Sequence, residues 1–148
     1  MKVKSILLAL IAIAMTACFI PNPPEEKGFE EADLLGVWAK TNGTNQDTVP
    51  TEFVRFTSKP DETGEYKYGC EWNEGEDVYE EDLKPYGNGW FKYKLASTGD
   101  LEVCYLMDNG GAEFPKTYKV TKLNSNELQY KDQYGKTHYW SRYGSNKD

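Results

Sequence analysis

At 148 residues, with 39% hydrophobic and 14% aromatic side chains, the chain is one domain long and has enough apolar material to bury a core. Its 24 acidic residues against 17 basic ones give a net charge of −7, which excludes nucleic acid or an anionic membrane surface as the chief partner, because both are recognised by basic faces. One histidine and three cysteines leave little for a zinc centre or a catalytic triad, and no cofactor or metal is expected.

The first segment reads as an address. Lys2 and Lys4 precede an unbroken apolar run from Ile6 to Met15. As a helix that run spans about 15 Å, roughly half the hydrocarbon core, so it is a signal-peptide core and not a membrane span. Met15-Thr16-Ala17-Cys18 then resembles the lipobox of bacterial lipoproteins. The resemblance implies a signal peptide of residues 1–17, cleavage before Cys18, and thioether lipidation of that cysteine with acylation of its new amino terminus. Ordinary cleavage that leaves Cys18 as a thiol is the alternative. Residues 18–28, with Pro21, Pro23 and Pro24, form an extended tether of roughly 30 Å. Phe19 stands where an Asp often marks inner-membrane retention, so the expected address is the outer membrane of a Gram-negative envelope, facing either side.

A domain spanning residues 29–148 follows. The acidic stretch 29–35 suits one or two helical turns, and β patterning takes over from there. Clusters such as Asn42-Gly43, Lys59-Pro60-Asp61, Thr98-Gly99-Asp100 and Asp108-Asn109-Gly110-Gly111 punctuate eight strand candidates. These are 36–41, 51–58, 64–72, 89–96, 101–107, 116–123, 127–131 and 137–143. Alternation puts Tyr66, Tyr68, Cys70 and Trp72 on one face, expected to be inward, and Leu101, Val103, Tyr105 and Met107 on another, opposite Glu102 and Cys104. One apolar face per strand with short connections predicts an all-β, eight-stranded, up-and-down antiparallel meander closed into a barrel. A two-sheet sandwich satisfies the same periodicity.

Leu35-Gly36-Val37-Trp38 at the opening strand resembles the Gly-x-Trp signature of lipocalins. Tyr118-Lys-Val120-Thr-Lys-Leu123, Leu128-Gln-Tyr130 and the closing Trp140-Ser-Arg142 are similar to bacterial lipocalin-like lipoproteins, so the resemblance runs over about residues 34–143. It implies a ligand-binding barrel in which Trp38 of the first strand packs against Arg142 of the last at the closed base. A guanidinium over an indole gains about 0.5–2 kcal/mol as it is desolvated.

The remaining motifs carry less. In an exported chain Cys70 and Cys104 are either a disulfide or two buried thiols, and geometry decides. The stretch from Glu71 to Asp82 holds seven acids without a Lys or Arg. It is either a solvated loop or a dock for a basic protein; its spacing does not match an EF-hand calcium loop. Asp47-Thr48-Val49 resembles the O-glycosylation acceptor of some Gram-negative envelopes, with Thr48 the acceptor. Catalysis is not expected: His138 is the only imidazole, it alternates with Trp140 and Arg142 in a strand, and no Gly-x-Ser-x-Gly elbow occurs. Two function classes remain. In the first, Tyr66, Tyr68, Trp72, Val103, Tyr105, Tyr118 and Val120 line a cavity for a small apolar or amphipathic ligand. In the second, the barrel is solid and the acidic 71–82 loop docks a basic partner.

Overall fold

The computed structural model describes residues 27–43, 49–76 and 89–144. The signal peptide, Cys18, nearly all of the tether, Thr48 and residues 77–82 of the acidic stretch lie outside the described residues. A 3₁₀ turn at Glu31–Leu34 leads into eight strands: β1 Gly36–Thr41, β2 Glu52–Pro60, β3 Lys67–Asn73, β4 Trp90–Leu95, β5 Asp100–Tyr105, β6 Lys116–Leu123, β7 Glu127–Lys131 and β8 Thr137–Arg142. Each strand pairs antiparallel with the next, and β8 pairs with β1, closing an up-and-down barrel. The sandwich is excluded by that last pairing, which removes both edges.

Register decides which residues face inward. Trp38 is fully buried and lies opposite Val54 on β2 and Arg142 on β8. Following the ladder from strand to strand, the inner face carries Phe56, Gly69, Glu71, Phe91, Tyr93, Leu101, Val103, Tyr105, Tyr118, Val120, Leu128, Tyr130, His138 and Trp140. Leu34 of the 3₁₀ turn plugs the base, fully buried, and accepts a 2.8 Å hydrogen bond at its carbonyl from Trp38 Nε1. Phe56, Phe91 and Tyr93 pack edge to face across the lower barrel, with centroids 4.9–6.2 Å apart.

Three differences from the sequence expectation follow. First, the aromatic face of β3 is the outer one. Gly69 must face inward because the Phe91 ring occupies the space of a side chain there: a Cβ on Gly69 would lie 2.4 Å from it. Tyr68, Cys70 and Trp72 therefore point outward, and Tyr66 lies before β3, bonded to the outer-face Glu102. Second, β3 starts at Lys67 because Asp61 takes the preceding residues into a turn. Its backbone nitrogen donates to Tyr66 O at 2.8 Å, and its Oδ1 accepts from Thr63. Third, β5 ends at Tyr105, and Met107, read as sharing a face with Leu101, Val103 and Tyr105, lies beyond the strand and is 40% exposed.

The disulfide reading is also corrected. Cys70 lies opposite Trp90 and Cys104 opposite Lys92, both on the outer face with β4 between them. Two strand spacings, about 10 Å, exceed the roughly 7 Å that a bridge tolerates. No disulfide joins them, and both side chains are buried.

Candidate functional site

The barrel has a solid base and a wet mouth. At the base, Arg142 lies over the Trp38 ring, its guanidinium carbon 3.8 Å from the centroid. The same guanidinium donates to the carbonyls of Leu35, Asp33 (3.0 Å) and Ser125 (3.1 Å), tying the N-terminal turn and the β6–β7 turn to the last strand. Gly36 explains the glycine of the opening motif. Its φ of 109° lies in the region that favours glycine, and a Cβ there would sit 2.8 Å from Arg142 Nη1. Above this pair, Val54, Phe56, Phe91, Tyr93, Leu101, Val103, Val120 and Leu128 are all no more than 4% exposed. Nothing in this half is open to a ligand.

Toward the opposite end the inward side chains become half-buried and polar. Tyr105, Tyr118, Tyr130, His138, Glu71 and Lys40 all face the lumen and keep partial solvent contact. Tyr105 rests edge-on to Phe91 (5.9 Å), which forms the floor, and its hydroxyl donates to Glu71 Oε1 at 2.8 Å. Tyr130 is the hub of the opposite wall, with Tyr118 at 5.2 Å, the His138 ring stacked at 5.2 Å and Trp140 at 6.3 Å. Lys40 pairs with Glu52 at the rim and also reaches the Trp140 ring. Lys116 lies 5.1 Å over Tyr105. His138 Nε2 meets Asp132 Oδ2 at 2.9 Å.

Electrostatics follow from this crowding. Burial, reinforced by nearby Glu52, pushes the Glu71 carboxyl above the ordinary range, against the pull of Tyr105, Lys40 and Lys116. Burial and the Glu71 charge push the Tyr105, Tyr118 and Tyr130 hydroxyls up, so they stay protonated donors. The His138 contact holds Asp132 below the ordinary range. Trp140, 6% exposed, is turned toward the Tyr130 hydroxyl but forms no hydrogen bond of normal geometry through Nε1. Among the described residues no group of three His, Cys, Asp or Glu is placed to hold a metal ion.

Of the expected cavity residues, Val103, Tyr105, Tyr118 and Val120 face inward, but Val103 and Val120 belong to the solid half. Tyr66, Tyr68 and Trp72 do not line a cavity; they are on the outer wall, where Lys94 covers Tyr66, Lys92 covers Tyr68, and Phe53 stacks on Trp72 at 5.5 Å. Tyr130, Trp140, Lys40 and Lys116 were not legible as site residues, and Glu71 was legible only as part of the acidic 71–82 stretch. The alternation of His138, Trp140 and Arg142 could have exposed Trp140, since Arg142 fixes the inward parity of β8. No family model, curated protein or solved structure matches the chain.

Proposed function

We propose that this protein is a lipid-anchored envelope protein whose barrel binds one small amphipathic molecule in its mouth and catalyses nothing. The observation that carries the reading is the gradient of burial along the lumen: inward side chains are sealed in the lower half and wetted, polar and aromatic in the upper half. A few polar groups set into apolar walls are the usual lining of a ligand site. The anchor rests on the leader and the Met15–Cys18 motif. Kinship with lipocalins rests on Gly36-x-Trp38 and the Arg142 contact, set in an eight-stranded barrel. Binding is preferred to thiol catalysis because His138 faces the lumen while Cys70 and Cys104 face outward. Glu71, the first acid of the acidic stretch, is committed to the interior and takes no part in docking through that stretch.

The experiment is native mass spectrometry of the full chain purified from its own envelope. A discrete non-covalent adduct is expected, diminished in Tyr118→Ala, whose side chain is half-buried at the mouth. An adduct-free spectrum at every purification stage would count against a ligand.

A further inference from the structure

One carboxylate in the mouth has no ion pair in contact among the described residues, although Lys40 and Lys116 attract it from farther off. Glu52 is paired with Lys40, Asp132 with the His138 ring, and Glu113 lies 4.0 Å from Lys116. Glu71 forms no ion pair among the described residues; its contact is the Tyr105 hydroxyl. It is held inward by backbone constraints close by. Its nitrogen donates to Gly89 O at 2.9 Å, and Gly89 has a φ of 82° and would place a Cβ 2.2 Å from Glu71 O. Around this carboxylate the hydroxyls of Tyr105, Tyr118 and Tyr130 all lie within Coulombic reach. The second, independent observation is the Trp140 indole N–H, buried on the same lumen wall and turned toward the Tyr130 hydroxyl without a hydrogen bond of normal geometry. An orphaned buried donor is unfavourable, and a ligand oxygen would satisfy it.

Lysine ammonium groups already lie near ring faces in the mouth, Lys116 at 5.1 Å from Tyr105 and Lys40 at 6.0 Å from Trp140. Ring faces in this lining thus already hold ammonium groups, which ring quadrupoles attract. The chain as a whole is acidic and draws cations toward it. Resting on the ligand-binding reading above, we propose that the mouth is a site for an amphipathic organic ammonium ion that also carries a hydrogen-bond acceptor, with its charge at Glu71, its acceptor at Trp140 Nε1, and its apolar body against Tyr118 and Tyr130.

The test is calorimetric titration of the full chain with tyramine, which has both groups, and with N-acetyltyramine, which keeps the phenol but loses the charge. The wild type is expected to bind tyramine at least about tenfold more tightly, and Glu71→Gln to erase that preference, so that the two probes bind alike. Equal binding of the two probes by the wild type would overturn the ammonium site and leave a general amphipathic pocket standing. A preference retained in Glu71→Gln would overturn Glu71 as the counter-ion. Binding of neither probe would contradict this site and weigh against the ligand reading as well. Should Glu71→Gln not fold, the two-probe comparison on the wild type decides alone.

Discussion

Arg142 gathers onto one guanidinium the Trp38 ring and carbonyls from both turns that frame the base. Its partners are backbone and ring, not a carboxylate, so its value is geometric: a planar fork that fits several acceptors at once. A double-mutant cycle of Trp38→Phe with Arg142→Met should return a coupling of about 0.5–2 kcal/mol in denaturant unfolding. Strict additivity would mean that the ring contact contributes nothing. At the other end of the lumen, Glu71 makes the opposite trade. Burial beside Glu52 raises its pKa, so the folded chain holds that proton to higher pH than the unfolded chain does. Stability therefore falls as pH rises through the window between the ordinary glutamate value and the raised one. Glu71→Gln has no such proton to lose. Its melting temperature relative to wild type should be higher at pH 8 than at pH 4; a difference that does not change with pH would count against a strained carboxylate at this site.

At the scale of the strand, β3 shows what periodicity can and cannot say. Its alternation was legible, and so was its existence, because Tyr68, Cys70 and Trp72 repeat every second residue. The side they face was not. Inside a barrel the parity of a strand is set by what its neighbours require, and Phe91 requires a hole that only Gly69 supplies. The outer aromatics are then covered by partners distant in sequence: Lys92 above Tyr68, and Phe53 against Trp72. Single-sequence alternation contains none of those pairings. The strand start was misplaced for a related reason: Asp61 gathers Thr63 and Tyr66 into a turn through its side chain, which outcompetes strand pairing over residues 62–66. Gly69→Ala should cost about 1–3 kcal/mol by overpacking, with partial recovery in combination with Phe91→Leu, read as melting temperatures. An unperturbed Gly69→Ala protein would place β3 in the opposite parity. By contrast β1 and β8 were legible at the base, since the Gly36-x-Trp38 motif and Arg142 fix their own parity.

For the whole molecule, closure of β8 on β1 leaves a barrel without edges, and the arrangement separates labour along one axis. The base end holds Phe29, the N-terminal turn, Leu34 and the Trp38–Arg142 contact; the mouth is at the far end. Cys18→Ser should block processing and release the domain from the membrane fraction, and a variant that stays processed and membrane-bound would remove the anchor from the account. The central claim is that the lumen is sealed below and receptive above. The most direct measurement is aromatic ¹³C NMR of the full chain during titration with tyramine and N-acetyltyramine. The account predicts shifts at Tyr105, Tyr118, Tyr130 and Trp140 while Trp38 and Tyr93 stay fixed. Shifts confined to Tyr66, Tyr68 and Trp72 on the outer wall, or none at all, would contradict it.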